Sequence, residues 1–231
     1  MAAQVDHLVV LANDLAQGVH WCQQTLGVAP GPGGEHALMG THNRLLLVGT
    51  EQFPACYLEI IAINSAAPCP RWQQSPPARR WFDMDDSRVQ RRLQQHGPFL
   101  AHWVARTEHL TQVAARWGAL GLDAGEPLAL SRRTPQAELH WQILLRPDGQ
   151  RLLQGCLPAL IQWHGVHPSS AMAQSPVRLL ELHVQHPQAD LLRSALDALP
   201  LPAVAVAHGP GQLRAVLDTP LGRVQLQSHG I

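Results

Sequence analysis

Three segments of the chain repeat one arrangement. VDHLVVL (5–11), FLAHWVA (99–105) and LLELHVQ (179–185) each read as a strand, with successive side chains on opposite faces. In each, a histidine stands seven residues before a helix-starting position: His7 before Asp14, His102 before His109, His183 before Asp190, with a leucine following each time. Three further strand-like stretches follow each helix, giving the order β-α-β-β-β three times. Such repetition constrains the fold more than any single motif, because each copy has an apolar sheet face to bury against something.

The boundaries follow from local signals. In the first unit, Asn13 or Asp14 caps a helix over 15–26 that Gly27 stops, a glycine bend spans 31–34, and strands lie near 36–39, 45–48 and 57–63. In the second, Thr107 caps a helix over 108–120 and strands fall at 128–132, 138–145 and 158–163. The third has a helix over 189–199 and strands at 203–207, 213–217 and 223–227. Between the first two, Pro68, Pro70, Pro76 and Pro77 stop regular structure, so 71–81 reads as a loop and 85–95 as a short polar helix of a surface connector. The expected division is 1–96 (first unit plus connector), 97–175 (second unit) and 176–231 (third, shorter unit). The fold class is α+β.

Composition removes several classes of function. Seventeen basic and seventeen acidic side chains cancel, and no run of like charge exceeds Arg79-Arg80 or Arg91-Arg92, which argues against nucleic acid or an anionic membrane as partner. No stretch approaches the ~20 apolar residues of a membrane helix, and MAAQVDHLVV lacks the basic head and apolar run of a signal peptide. Cys22, Cys56, Cys69 and Cys156 form no CxxC, which suits reduced thiols in a cytoplasmic protein.

The chemistry concentrates near the first unit's later strands. Glu59 sits in YLEII, and a carboxylate inside a sheet is costly unless paired, protonated or metal-bound. GGEHALMGTHN (33–43) supplies His36, Thr41 and Asn43 after two glycines that permit a tight bend. Thr41 reads as local turn chemistry; His36 and Asn43 read either as turn residues or as the lining of a binding mouth. GPGG lacks the strand-to-helix context of a phosphate loop, and neither GxSxG nor a Cys-His spacing supports a nucleophile. Trp103, Trp141 and Trp163 read as core, or alternatively as a platform for an apolar or planar ligand.

A repeated βαβββ unit with His on its first strand and Glu on its last resembles the vicinal oxygen chelate superfamily, and VDHLVVLANDL, GGEHALMGTHNRLLLVG and YLEIIAI resemble its glyoxalase-like domain proteins. The resemblance implies that units one and two pair as a cup-shaped mixed sheet, with the third appended. It implies one divalent metal (Zn, Ni, Mn or Fe) held by His7, Glu59, His102 and Gln162. The superfamily often has Glu where Gln162 stands, and His164 is an alternative donor. Glu59 is then the catalytic carboxylate, with His36, Asn43, Trp103 and His164 contacting substrate. The implied activity is a metal-dependent lyase or isomerase acting on a small oxygenated substrate chelated through adjacent oxygens. Ligand types alone leave isomerase, lyase and dioxygenase chemistry open. The alternative is a metal-free protein that sequesters a small molecule. His183 has no carboxylate partner in its unit and reads as structural. The third unit is expected to pack laterally on the pair or to form a homodimer contact, since its sheet would otherwise leave apolar surface wet.

Overall fold

In a computed structural model, which describes residues 3–67, 79–199 and 201–228, twelve strands form two sheets. The first unit comprises β1 (Gln4–Leu11), α1 (Leu15–Leu26), β2 (Glu35–His36), β3 (Thr41–Leu47) and β4 (Tyr57–Ile63). After α2 (Ser87–His96) the second comprises β5 (Phe99–Arg106), α3 (Leu110–Ala119), β6 (Glu126–Arg133), β7 (Glu138–Leu145) and β8 (Ala159–His164). These eight strands make one sheet in the order β2-β3-β4-β1-β5-β8-β7-β6, a palindrome about the antiparallel β1–β5 pair. In both units the first strand pairs parallel with the last, and the last pairs antiparallel with the one before it. The paired, cup-shaped sheet is the observed architecture.

The two faces of this sheet carry different cores. One is lined by Cys22 and Leu26 of α1, Val113 and Trp117 of α3, and Leu8, Trp103 and Leu160 from the strands. The other, concave face is filled by Val9, Leu11, Ile61, Trp141, Ile143 and Ile161 together with Trp81, Phe82 and Met84 of the connector. The connector is therefore not wholly superficial: Trp81, Phe82 and Met84 enter the cup. Phe82 and Asp83 both take positive φ there (59° and 57°), a costly conformation for residues with a Cβ. Asp83 holds the turn by accepting from Arg151 N–H (3.1 Å) and Arg151 Nε (2.6 Å). The loop expected over 71–81 lies largely outside the described residues, as do Cys69 and the four connector prolines.

Two local expectations change. The strand near 36–39 ends at His36, because Met39 N–H turns back to His36 O at 2.9 Å. Thr41 and Asn43 consequently belong to a continuous strand rather than to a turn. The helix of the second unit starts at Leu110, with Thr107 Oγ1 accepting from His109 N–H (3.1 Å).

The third unit comprises β9 (Arg178–His186), α4 (Ala189–Asp197), β10 (Val204–His208), β11 (Gln212–Thr219) and β12 (Gly222–Gln227). It keeps the element order but not the wiring: its strand order is β10-β9-β11-β12, with the first strand parallel to the second instead of the last. It packs laterally on the pair. Leu179, Leu182 and Leu213 join the core of Trp103 and Trp117, Leu179 N–H donates to Val48 O (2.8 Å), and Trp117 Nε1 donates to Ala195 O (2.8 Å). His183 points at Glu181 of its own strand, Nε2 to Oε2 2.7 Å, at a partly exposed position. Among the described residues no helix is long and apolar enough to cross a membrane.

Candidate functional site

The polar end of the cup gathers side chains from four strands of the first unit around one carboxylate. Glu59 of β4 faces inward beside Tyr57, and Leu45 of β3 lies opposite it. Glu59 Oε1 accepts from Asn43 Nδ2 at 2.6 Å. Its Oε2 lies 3.5 Å from His7 Nε2, and Oε1 lies 4.0 Å from His36 Nε2. The orientation of Asn43 follows from its partners: Oδ1 accepts from Gly34 N–H (2.8 Å) and Arg132 Nη1 (3.3 Å), which leaves the amide nitrogen for the carboxylate. Burial first, then the Arg132 charge, pushes His36 down to about 3, so its imidazole is neutral and bonds Thr41 Oγ1 through Nδ1 at 3.1 Å.

The glycine pair explains how this cluster fits together. A Cβ on Gly33 would stand 2.2 Å from both the backbone oxygen and Oδ1 of Asn43, and one on Gly34 would stand 2.6 Å from Arg132 Nη1. Neither glycine has positive φ. They serve close approach, not the bend read from the sequence.

His7 is fixed from its other side by Asp6, which strict strand alternation would place on the opposite face of the sheet. The β1–β5 register slips between Val5 and His7, and the bulge brings Asp6 into the same polar region. Asp6 is wholly buried and accepts from four groups: His7 Nδ1 (2.6 Å to Oδ1), and His167 Nε2 (3.0 Å), Trp163 Nε1 (3.0 Å) and Arg106 Nη1 (3.5 Å) at Oδ2. Burial alone would raise its pKa; the hydrogen bonds and charges of His167 and His7 outweigh it and hold the carboxyl well below the usual range. With Nδ1–H given to Asp6, His7 presents Nε2 to the hollow. Tyr57 stacks on the ring at 4.6 Å, and burial raises its hydroxyl pKa well above the ordinary value.

The enclosed volume is small, about 40 Å³, bordered by these residues and by Trp81, Phe82, Trp141 and Trp163. On a measure in which one water needs about 10–15 Å³, that is room for a small polar head group.

Of the residues singled out in the sequence, His7, Glu59, His36 and Asn43 therefore come together. Four others do not. His102 has both nitrogens committed to backbone, Nδ1 to Gly155 O (3.3 Å) and Nε2 accepting from Ala159 N–H (3.1 Å); burial and then Arg151 hold its pKa well below the ordinary value. Gln162 and His164 lie out of phase with Ile161 and Trp163, the β8 residues that border the hollow. Trp103 is on the far face, fully buried, with Nε1 donating to Cys156 O (3.0 Å). The metal that the fold implies does not fit this donor set. The His102 lone pair that would bind it is already used, and Gln162 faces elsewhere. Among the described residues no group of three or more His, Cys, Asp or Glu is arranged to hold an ion.

Asp6, Arg132 and His167 belong to the site without being among the residues the sequence singles out, while Trp141 and Trp163, read there as core or platform, border the hollow. For Asp6 the signal was present: it is a carboxylate inside VDHLVV, as costly to bury as Glu59 in YLEII.

A cup of two βαβββ units with a polar cluster at one end defines the small-molecule-binding fold of the vicinal oxygen chelate superfamily. The chain belongs to the family described as "Glyoxalase-like domain", which matches residues 5–199. No curated protein matches it. Among solved structures it is similar to a hypothetical protein from Staphylococcus aureus, at 12% identity over 98% of this chain and 85% of that one, with a TM-score of 0.58. It is also similar to a Streptomyces coelicolor methylmalonyl-CoA epimerase in complex with 2-nitronate-propionyl-CoA, at 18% identity over 72% of this chain and 99% of that one, with a TM-score of 0.42. A third is the methylmalonyl-CoA epimerase from Mycobacterium tuberculosis, at 15% identity over 73% and 91%, with a TM-score of 0.38. These likenesses concern the fold alone.

Proposed function

We propose that this chain binds a small oxygenated organic molecule through hydrogen bonds to His7 and to Glu59, whose carboxylate Asn43 positions, without a metal shared between the two units. The observation that carries the reading is the asymmetry of the donors. His7, His36, Asn43 and Glu59 converge, while His102 is spent on Gly155 and Ala159. Metal-dependent lyase or isomerase chemistry of the kind the resemblance implies needs donors from both halves of the cup. This arrangement offers them from one.

Calorimetric titration with lactate, pyruvate and hydroxyacetone tests the reading. At least one is expected to bind, and Glu59→Gln to weaken it by about tenfold, the worth of a charge-assisted hydrogen bond. Equilibrium dialysis against Zn²⁺, Ni²⁺ and Mn²⁺ supplies the opposing arm. Stoichiometric metal that disappears in both Glu59→Ala and His102→Ala would overturn it in favour of the metal enzyme.

A second reading, an enzyme that moves a proton on the bound ligand, is favoured by the 2.6 Å contact between Asp6 Oδ1 and His7 Nδ1. A buried carboxylate on Nδ1–H fixes the tautomer and stabilises the imidazolium that forms when Nε2 takes a proton. Glu59 Oε2, 3.5 Å from Nε2, is the second proton-accepting group. Uptake of solvent deuterium at the carbon next to the ligand carbonyl, abolished by His7→Gln, distinguishes catalysis from sequestration.

A further inference from the structure

A second, larger depression of about 630 Å³ opens beside the polar hollow and shares Leu45, Arg132 and Pro168 with it. Its volume is that of a site enclosing a drug-sized ligand. Its walls include Val28, Leu47, Ala137, Leu139, Val166 and Met172, drawn from both units and from the segment that follows β8. Val166 is 48% exposed there, a large apolar side chain left in water. Among the described lining residues only Arg132 and His167 carry titratable groups, and both His167 nitrogens are taken, by Asp6 and Ser169. Arg132 stands at the junction. One guanidinium nitrogen bonds Asn43 Oδ1, while its Nε is buried with no hydrogen-bond partner. A buried guanidinium N–H left unpaired is costly, and a ligand carboxylate is the group that satisfies it best.

We propose that the ligand is a 2-hydroxy carboxylic acid with an uncharged alkyl chain. The three substituents at its second carbon fit three features: carboxylate to Arg132, hydroxyl donating to Glu59 or His7 Nε2 in the hollow, and chain along the apolar depression. Beyond Arg132 and His167, the described residues lining this depression offer no cation to a phosphate-bearing tail. The proposal rests on the hollow being the head-group site, and adds the two anchors outside it.

Titration calorimetry with 2-hydroxyoctanoate, lactate and 1,2-octanediol tests it. The eight-carbon acid is expected to bind about a hundredfold or more tighter than lactate, from the added methylenes. It is expected to bind about tenfold or more tighter than the uncharged diol, from the carboxylate contact. Arg132→Gln should abolish the preference for acid over diol. Ala137→Trp should weaken the eight-carbon acid and leave lactate unchanged; this second variant keeps the test independent of any disturbance of Asn43. If lactate binds in a Glu59-dependent way but the long acid binds no tighter, the tail site is overturned and the head-group reading stands. If neither binds, both fall. A dimer that Ala137→Trp converts to monomer, with the long acid unbound, would assign the depression to a second copy of the chain instead.

Discussion

Units one and two are wired identically and are chemically opposite. Register makes the comparison residue by residue. Val9 lies two positions after His7 and pairs with Glu59; Val104 lies two after His102 and pairs with Ala159. Ala159 therefore stands where Glu59 does. One strand over, Asn43 pairs with Ile61 and its counterpart Ile143 pairs with Ile161. Asp6 corresponds to Ala101, one residue before the repeated histidine. The second unit has replaced each polar partner with an apolar one, and its histidine has turned to the backbone of the β7–β8 connection. One half of the palindrome supplies the chemistry. The other supplies apolar wall and, through Arg132, Trp163 and the following His167, the supports that hold the first half's polar groups. Duplication of a unit thus doubles the scaffold without doubling the site.

Giving the first unit the residues of the second is the direct way to break this contrast. Asp6→Ala should have the largest effect. It removes the acceptor of His7, His167 and Trp163 and the buried counter-charge of Arg106, and should lower the unfolding free energy by about 3–5 kcal/mol. Urea unfolding of the variant measures this. A loss under about 1 kcal/mol would mean that Asp6 is not the hub that joins the two halves.

The next effect compares the two buried neutral histidines, His36 in one unit and His102 in the other. Both have folded pKa values depressed below the ordinary 6.5. Between the folded and unfolded values the unfolded chain binds more protons, so stability rises with pH across that window. It is fully present above 6.5 and declines as pH falls. The decline is up to about 1.4 kcal/mol per pH unit for each histidine. Unfolding midpoints at pH 7.5, 6 and 5 should show the slope, and His36→Gln and His102→Gln should each make it shallower. An unchanged slope in the His102 variant would remove the second unit from the pH response.

Much of the scaffold was legible because its signals are local. The alternation of VDHLVVL and YLEIIAI, Asp14 accepting from Gln17 N–H at the start of α1, and Gly27 at φ 73° just past its end all stand where periodicity and capping rules put them. The first unit's polar residues were legible for a related reason: a charge in an apolar strand is conspicuous. What failed depended on register and long-range pairing. The resemblance places a metal ligand at Gln162, but period-2 alternation puts Ile161 and Trp163 toward the hollow, and nothing near Gln162 in sequence reveals the phase. Strict alternation would set Asp6 opposite His7, and the bulge at Val5–His7 breaks that alternation. Arg132 acts through Asn43, eighty-nine positions away, and His167 through Asp6. The third histidine of the repeat matched in spacing and failed in wiring, because element order does not specify which strands pair.

The smallest effects sharpen how the two units meet. Gly33→Ala pushes a methyl group against the backbone oxygen of Asn43, which has no slack within β3, and should cost about 1–3 kcal/mol. Gly34→Ala meets the far end of a flexible Arg132 side chain, so the guanidinium swings aside and stability should change by about 0.5 kcal/mol or less. The two neighbours thus separate folding from binding. Gly34→Ala should leave the unfolding midpoint near that of the unsubstituted chain while weakening a carboxylate ligand more than its uncharged analogue, because only the second unit's arm has moved. Equal weakening of both ligands would mean that the substitution had disturbed Asn43 and Glu59 themselves, and that Arg132 is a brace for the first unit and not a contact of its own.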